Sequence, residues 1–452
     1  MKRRLVVVGG VAAGMSAASR AKRVDPGLDV VVLEKGDYIS YGACSLPYFL
    51  AGYFDDYRKL IARTPEEAKE QGIDVRTGHE AVHVDVEKNT VTVRRRDGGE
   101  ERLAYDALVL ATGTVPVVPP EWGVGRLEGA FLLRTIDDAR ALRAYIAQQR
   151  PRRAVIVGGG YIGVEAADAL LEHGLHVTVV DVAPQLLTNF DEDVAKHVEE
   201  DLRAVGVDVR LGDGVTGLEP ADGRVAGVRT ASGQVLPADL VIVALGVRPN
   251  VALAEQAGIA LGPTGAIAVD PQQRTSVENV FAAGDCCEAL HLVTGRPAYV
   301  PLGTTANKQG RVAGTVIGGG RASFPGIVGT AVVKARAVAV GRTGLTERQA
   351  REMGYDAAAA MIKAFDRVET QPGAREMWVK LVAERGTGRL LGGQVVGYDL
   401  SGVSGRIDVI AAALTARMDA ETFSHLDLSY APPFAQVWDP LLVAANVLQR
   451  RL

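Results

Sequence analysis

The sequence contains three cysteines, Cys44, Cys286 and Cys287, and their spacing leaves no CxxC or CxxxxC pair. No dithiol can therefore form between cysteines close in sequence. Cys44 precedes a helix-compatible run at residues 48–50, and a cysteine near a helix N-terminus is expected to be rich in thiolate. A lone thiolate reacts with an external sulfur or oxygen and gives a mixed disulfide, a persulfide or a sulfenic acid. A buried, inert cysteine is the alternative interpretation.

The other two cysteines and the overall composition argue against several classes of protein. A bridge between the adjacent Cys286 and Cys287 would be strained, so we expect both to be buried thiols. No His, Cys and Asp residues show metal-ligand spacing, and we predict no metal site. The net charge of −4 over 452 residues argues against bulk binding to nucleic acid or membrane. No apolar run approaches the ~20 residues that span a bilayer, and we expect a cytoplasmic protein with reduced thiols.

Two glycine-rich loops each follow a short buried strand and precede a helical stretch. The first runs from Gly9 to Gly14 and leads to Glu34, and the second runs from Gly158 to Gly163 and leads to Asp181. The acid lies 20 residues after the last glycine in the first copy and 18 in the second. This spacing is typical of dinucleotide binding, in which the glycines approach a pyrophosphate and the acid binds a ribose. Val11 replaces the middle glycine of the first copy.

These βαβ units predict an α/β protein with two Rossmann-like dinucleotide-binding domains and a C-terminal α+β domain. Further strands are expected at 105–113 and 240–246, and segment 275–285 should deliver Gly284 and Asp285 to the carboxyl end of a strand. From about residue 324, strand-like runs at 331–341, 377–382 and 391–396 precede a helix at about 402–417. The predicted boundaries are 1–114 with 248–322, then 115–247, then 323–452.

The second glycine loop also predicts whether a dinucleotide bound there carries a 2′-phosphate. Asp181 is followed by Val182 and Ala183, so no arginine stands ready to hold a 2′-phosphate. We therefore expect NADH to be preferred over NADPH.

The segment 275–285 (TSVENVFAAGD), the single cysteine in segment 39–48 and the segment 429–434 (SYAPPF) carry a family resemblance. The chain resembles the pyridine nucleotide-disulfide oxidoreductases. It is most similar to their single-cysteine branch, and within it to the coenzyme A disulfide reductases. NADH oxidases and peroxidases of that branch carry a histidine in the first glycine loop, where this chain has Val11, Ala12 and Ala13.

The resemblance implies FAD in the first copy, NADH or NADPH in the second, and a homodimer formed by the C-terminal domain with an active site shared across the interface. It implies that NAD(P)H supplies electrons through FAD to a disulfide between Cys44 and coenzyme A. Tyr430 of the partner subunit would donate a proton there, whereas we interpret His425 as structural. The alternatives are an NADH oxidase or peroxidase with a Cys44 sulfenate, and an NADH-dependent reductase of an electron-carrier protein.

The resemblance and the motifs together assign candidate site residues. The catalytic residues are Cys44 and Tyr430. The cofactor-binding residues are Gly9, Gly10, Val11, Ala12, Ala13, Gly14, Glu34, Lys35, Val82, Ala111, Thr112, Gly113, Arg134, Gly158, Gly160, Tyr161, Ile162, Gly163, Glu165, Asp181, Gly246, Gly284 and Asp285. The residues for coenzyme A, or for its disulfide, persulfide or polysulfide, are Ser16, Arg20, Lys22, Arg23, Ser40, Asn307 and Lys308. Ser16, Arg20 and Arg23 share one helix face by their spacing, and a solvated basic face is the alternative interpretation.

Overall fold

The computed structural model describes residues 2–452. The strands are β1 (Arg4–Val8), β2 (Asp29–Glu34), β3 (Ile73–Thr77), β4 (His79–Asp85), β5 (Thr90–Arg95), β6 (Glu100–Ala104), β7 (Ala107–Leu110), β8 (Thr114–Pro116), β9 (Ala130–Phe131), β10 (Arg153–Val157), β11 (His176–Asp181), β12 (Asp208–Leu211), β13 (Val215–Ala221), β14 (Arg224–Thr230), β15 (Val235–Pro237), β16 (Leu240–Val243), β17 (Val247–Pro249), β18 (Val280–Ala282), β19 (Ala289–His291), β20 (Arg296–Ala298), β21 (Ala331–Ala335), β22 (Val338–Gly344), β23 (Ala357–Phe365), β24 (Glu376–Glu384) and β25 (Leu390–Gly397). The helices are α1 (Ala12–Val24), α2 (Leu46–Leu50), α3 (Pro65–Glu70), α4 (Ile136–Gln149), α5 (Tyr161–Leu171), α6 (Glu192–Ala204), α7 (Ala252–Gln256), α8 (Gly303–Ile317), α9 (Glu347–Glu352), α10 (Leu400–Thr415), α11 (Ala420–Ser424) and α12 (Pro440–Gln449).

The first of two compact units comprises the chain up to Leu46, Asp55–Val117 and Val247–Ile327. Its main sheet is parallel, in the order β18-β7-β1-β2-β3. Strands β1, β2 and β7 are short and almost wholly apolar, as expected for the buried strands of a parallel sheet. Helices α1 and α8 pack so closely that a β-carbon on Gly310 would lie 2.2 Å from the Ala13 carbonyl oxygen.

The second unit comprises Pro47–Phe54, Val118–Gly246 and Val328–Leu452. It contains a second parallel sheet in the order β12-β11-β10-β16-β9, and an antiparallel sheet in the order β21-β22-β25-β24-β23. Helix α10 packs against β22 and β25 of the antiparallel sheet. The predicted fold class, with two Rossmann-like sheets and a C-terminal α+β region, is confirmed. The exact three-domain boundaries stay a prediction.

One strand-like run folds differently from a single strand. Residues 331–341 form a hairpin, because β21 ends at Ala335, Arg336 adopts a left-handed φ of 53°, and β22 begins at Val338. The helix expected at about 402–417 is α10. Across residues 2–452, no helix combines the length and the apolar character that crossing a membrane requires.

Lys380 lies at the centre of a buried ion cluster in the second unit. Its ammonium contacts the carboxylates of Asp191, Asp193 and Glu347 at 3.2, 2.8 and 3.0 Å, and its side chain is only 6% exposed. Burial alone would lower the pKa of Lys380, but the three carboxylates raise it. Lys380 therefore links β24 to α6 and α9 through its ion pairs.

Candidate active site

The first glycine loop turns the chain from β1 into α1, and its geometry requires glycine. Gly9 has a φ of +105°, a region that L side chains rarely adopt. A β-carbon on Gly14 would lie 1.8 Å from the Gly9 carbonyl oxygen, so only glycine lets α1 begin this close to the turn. The Glu34 carboxylate at the end of β2 accepts a hydrogen bond from the Gly10 N–H at 2.8 Å.

The second glycine loop repeats this geometry. Gly158 has a φ of +109°, and a β-carbon on Gly163 would lie 1.9 Å from the Gly158 carbonyl oxygen. Asp181 at the end of β11 accepts hydrogen bonds from the N–H groups of Gly159 at 2.6 Å and Ala183 at 2.8 Å. In both copies the strand, the turn and the acid are therefore brought together as the spacing predicts.

The backbone at the middle position of the loops explains why Val11 can stand there in place of glycine. Gly160, the equivalent residue of the second copy, has a φ of −76°, and a β-carbon there would meet nothing within 4 Å. Val11 has a φ of −100° in the same position before α1. The chain itself therefore does not require glycine at this point, and valine is accommodated.

The starts of α1 and α5 fit a pyrophosphate. Neither helix has a side-chain cap or an acidic residue in its first turn. Helices α3 and α4, by contrast, are capped by Thr64 and Thr135. The first N–H groups of a helix need acceptors, and a phosphate supplies acceptors together with the negative charge that the helix dipole favours. The donor sets at both loops thus suit dinucleotides.

The remaining candidate cofactor residues of the first unit lie at strand ends or turns. Lys35 is exposed directly after β2, and Val82 is the extra residue of a β-bulge in β4. Segment 111–113 follows β7, where the Thr112 hydroxyl donates to the Asn250 carbonyl at 2.6 Å. After β18, the Gly284 N–H donates to the Gln309 side chain at 2.9 Å, and Asp285 follows it, partly exposed.

In the second unit, the candidate nicotinamide residues lie around α5. Tyr161 and Ile162 begin this helix, and the Tyr161 hydroxyl accepts a hydrogen bond from the Asn189 amide at 2.6 Å. Burial raises the pKa of Tyr161. Gly246 follows β16 with a φ of 99°, and Arg134 lies just before α4.

Glu165, one helical turn after Tyr161, is a partly buried carboxyl group. Burial is the largest cause that raises its pKa to about 7, and the Asp168 carboxylate adds to the effect. The Tyr48 hydroxyl makes a hydrogen bond to Glu165 and acts in the opposite direction. Glu165 therefore exchanges a proton near neutral pH.

Cys44 is the exposed cysteine of the chain, whereas Cys286 and Cys287 are buried. It lies in a short 3₁₀ turn, Ala43–Ser45, which leads directly into α2. The expected burial of the adjacent pair is observed: the Cys286 thiol contacts the Leu110 carbonyl at 3.4 Å. Within residues 2–452, no three His, Cys, Asp or Glu side chains are grouped to hold a metal ion.

Four candidate substrate residues are brought together by α1 and α8. The Ser16 hydroxyl donates to the Asn307 side chain at 2.7 Å, and Lys308 is the next, exposed residue of α8. Arg20 reaches α8 through a bond from its Nε to the Thr315 hydroxyl at 2.8 Å. Ser16 and Arg20 of the predicted face therefore both contact α8.

Lys22, Arg63 and Ser40 have contacts that the sequence pattern does not predict. Lys22 is separated from this face, since its ammonium binds the carbonyls of the loop after α1 at 2.9 and 2.7 Å. Arg63 was not predicted, yet its guanidinium donates to the Ser19 hydroxyl at 2.7 Å, while Arg23 binds the Ser19 carbonyl at 3.1 Å. Ser40 adopts a left-handed φ of 48°, and its N–H binds the Gly10 carbonyl at 2.9 Å.

Tyr430 lies in an irregular segment between α11 and α12. Its side chain is 47% exposed, and the neighbouring Phe434, Val437 and Trp438 are 78%, 65% and 60% exposed. This run of large apolar side chains presents an open apolar surface in the second unit. His425, at the end of α11, makes a hydrogen bond through Nδ1 to the Glu421 carbonyl at 2.9 Å, which fits a structural role.

Comparison with known proteins shows the family. Residues 3–310 match the pyridine nucleotide-disulphide oxidoreductases, and residues 330–441 match the dimerisation domain of the same proteins. The chain belongs to this family. It is an oxidoreductase, and the family uses FAD and NAD(P)H. The resemblance inferred from the sequence is thus confirmed.

Three relatives show which members of the family the chain is similar to. The chain is 44% identical to the NAD(P)H coenzyme A polysulfide/persulfide reductase of Pyrococcus horikoshii, over 99% of both chains. It resembles the solved structure of an NAD-dependent persulfide reductase from A. fulgidus, with a TM-score of 0.95 and 38% identity over 99% of this chain and 83% of that one. It also resembles the reduced Bacillus anthracis CoADR-RHD, with a TM-score of 0.95 and 35% identity over 100% of this chain and 80% of that one.

Proposed function

We propose that this protein is a homodimeric FAD enzyme that uses NAD(P)H to reduce coenzyme A disulfide, or a coenzyme A persulfide or polysulfide, through Cys44. The observation that carries the proposal is the single exposed Cys44 in the turn before α2, with the other two cysteines buried. Such a cysteine must take its sulfur partner from the substrate. The names of the relatives from Pyrococcus horikoshii and A. fulgidus support the same substrate class.

FAD, when bound, supplies the two-electron chemistry that couples a nicotinamide to sulfur. The loop of Gly9–Gly14 and the uncapped start of α1 hold its pyrophosphate, and Glu34 holds a ribose. The equivalent loop before α5, with Asp181, holds NAD(P)H. The matching strain and hydrogen bonds of the two loops support a dinucleotide in each, and the resemblance to the family assigns FAD to the first and NAD(P)H to the second.

Cys44 acts as the nucleophile on sulfur. Its thiolate attacks one sulfur of the substrate disulfide, so that a Cys44 mixed disulfide forms and one thiolate leaves. Two electrons and a proton then cleave the mixed disulfide, which returns the Cys44 thiolate and releases the second thiol. Tyr430 of the partner subunit is suited to protonate the departing thiolate, since a phenol O–H is a hydrogen-bond donor. The exposed apolar surface around Tyr430 supports a partner there.

The basic face of α1 binds the nucleotide end of coenzyme A. Arg20 and Arg23 supply guanidinium groups for its phosphates, and Asn307 and Lys308 extend the face along α8. Arg63 adds a third guanidinium beside Ser19. A cytoplasmic location, where small thiols stay reduced, is part of the proposal.

The experiment that tests the proposal is a set of parallel anaerobic turnovers with NADH. Coenzyme A disulfide, coenzyme A persulfide and hydrogen peroxide are each offered as the oxidant, and oxygen is tested in a separate aerated reaction. Preference for either coenzyme A substrate supports the proposal. Preference for peroxide or oxygen would overturn it in favour of an oxidase or peroxidase that uses a Cys44 sulfenate.

A further inference from the structure

A small, partly buried cluster of charged and phenolic side chains lies on one side of α5. Glu165 and Asp168 come from α5, Tyr48 from α2, Tyr53 from the turn after α2, and Lys334 from β21. They line a small cavity of about 10 Å³, which is room for one water molecule. The cluster is thus a nearly closed site with two carboxyl groups and one ammonium group.

The ammonium group is committed to one of the two carboxyl groups. Lys334 Nζ donates to Asp168 Oδ2 at 2.7 Å, and the Arg336 guanidinium lies 3.5 Å from Asp168 Oδ1. Asp168 is 9% exposed and Lys334 is 23% exposed, so this ion pair is poorly screened. Arg336 also pairs with Glu172, which offsets its charge.

Glu165 is the carboxyl group of the cluster that does not belong to the ion pair between Lys334 and Asp168. Its hydrogen-bond partner within the cluster is the neutral Tyr48 hydroxyl. With Glu165 protonated, the charges of Glu165, Asp168 and Lys334 cancel, and with Glu165 ionised one negative charge is left in a buried place. Burial disfavours that charge, consistent with a pKa of Glu165 of about 7.

Other charged or titratable groups near Glu165 act at longer range. Tyr53 accepts a hydrogen bond from Lys334 at 3.4 Å, and Tyr161 lies one turn earlier on α5. The Arg342 guanidinium from β22 acts on Tyr161 rather than on Glu165. Asp168 and Lys334 are therefore the two charges that bear directly on Glu165, and they act with opposite signs.

We propose that Asp168 and Lys334 are positioning residues that set the charge of Glu165, and through it the preference of the enzyme for NAD⁺ over NADH. The inference rests on the proposed function, which puts NAD(P)H at the loop of Gly158–Gly163, two residues before Glu165 on α5. NAD⁺ carries a positive charge on its nicotinamide ring, and NADH does not. An ionised Glu165 therefore stabilises bound NAD⁺ selectively, whereas a protonated Glu165 removes that advantage.

The sign of the pH dependence follows directly. Below pH 7 Glu165 is mainly protonated, and above it Glu165 is mainly ionised. The ratio of the dissociation constants of NADH and NAD⁺ is expected to rise about tenfold as the pH increases from 5.5 to 8.5, because a neighbouring opposite charge alters a carboxyl pKa by 1–3 pH units. The enzyme would hold its oxidised product more tightly at high pH.

The first test measures the charge of Glu165 in the FAD-loaded dimer without nicotinamide. Infrared titration of ¹³C-glutamate-labelled protein follows the carboxyl band, and Glu165→Gln identifies it. Asp168→Asn removes a negative neighbour and should shift the titration to lower pH, whereas Lys334→Met removes a positive neighbour and should shift it to higher pH, each by about tenfold in proton affinity. Lys334→Arg should restore the wild-type midpoint.

A matched control separates charge from general damage. Lys196→Met removes an ammonium from the exposed surface of α6, where the side chain is 68% exposed, and it should leave the titration unchanged. A merely structural role for the ion pair would move the Asp168→Asn and Lys334→Met midpoints in the same direction or not at all. Either of those results would overturn the proposal.

The second test measures the dissociation constants of NAD⁺ and NADH between pH 5.5 and 8.5. The ratio should follow the Glu165 midpoint in every variant and lose its pH dependence in Glu165→Gln. If Asp168→Asn and Lys334→Met shift the Glu165 midpoint in opposite directions but the ratio of the NADH and NAD⁺ dissociation constants is unchanged, the inference is overturned. That result would not contradict the proposed sulfur reductase activity. Opposite shifts with the expected ratios would support the inference even if coenzyme A disulfide proved not to be a substrate, so the two failures are distinguishable.

Discussion

The last glycine of the second loop offers a sharp test of how the nucleotide site is built. Gly163→Ala would place a β-carbon 1.9 Å from the Gly158 carbonyl oxygen, and real β-carbons essentially never approach within 3.0 Å. The start of α5 must therefore retreat from the turn by at least about 1 Å, because the clash is with backbone that no rotamer change relieves. Overpacking of this kind costs ~1–3 kcal/mol.

That energy is expected to appear mainly as lost affinity for NAD(P)H. A retreat of α5 moves its first N–H groups away from the pyrophosphate, and ~1–3 kcal/mol corresponds to a dissociation constant that is about 5-fold to 150-fold larger. Stopped-flow measurement of flavin reduction against NADH concentration gives this constant directly. Flavin content should be unchanged, because the substitution lies in the second copy.

Gly160→Ala is the matched control in the same loop. Its β-carbon meets nothing within 4 Å and its φ is −76°, so the fold should accept it. Val11 occupies the equivalent position of the first loop. NADH affinity should stay within about threefold of wild type, which is under ~0.7 kcal/mol. Equal losses in the two variants would refute the steric reasoning.

Further predictions concern the substrate, the nucleotide and the stability of the chain. Charge removal by Arg20→Ala and Arg23→Ala should raise the KM for coenzyme A disulfide at least about tenfold and leave the KM for a small uncharged disulfide unchanged; equal effects on both would reject the basic face. Asp181→Ala combined with Val182→Arg should raise kcat/KM with NADPH and lower it with NADH, because a carboxylate is exchanged for a guanidinium beside the ribose; an unaltered preference would contradict the assignment. Lys380→Met should reduce the free energy of unfolding by ~3–5 kcal/mol at pH 7 in urea titrations, because it leaves three carboxylates without their cation; a loss under ~1 kcal/mol would contradict the account of that cluster.

The parts of the fold that the sequence predicts well are those fixed by local steric rules. The turn after β1 needs a left-handed residue at Gly9 and no side chain at Gly14, and these demands are visible as glycines at set intervals. The acid at the end of the next strand follows at a set distance because one helix intervenes. The hairpin at 331–341 was less visible, since its turn uses Arg336 in place of a glycine or an asparagine.

Side-chain partners were less predictable than positions. Lys22 was expected near the basic face, but its flexible stem lets the ammonium bind the carbonyls of Pro26 and Leu28. Arg63 reaches Ser19 across 44 residues of sequence, a separation that carries no periodic signal. The cluster around Glu165 is harder still, because α2, α5 and β21 meet only in the folded chain.

The claim most in need of measurement is that Cys44 passes electrons to the substrate sulfur. The direct measurement is anaerobic reduction of the flavin of Cys44→Ser by NADH, followed by addition of coenzyme A disulfide while the flavin spectrum is recorded, with wild type in parallel. NADH is expected to reduce both proteins at similar rates, and coenzyme A disulfide is expected to reoxidise the wild type while the variant stays reduced. Reoxidation of Cys44→Ser at the wild-type rate would contradict the account.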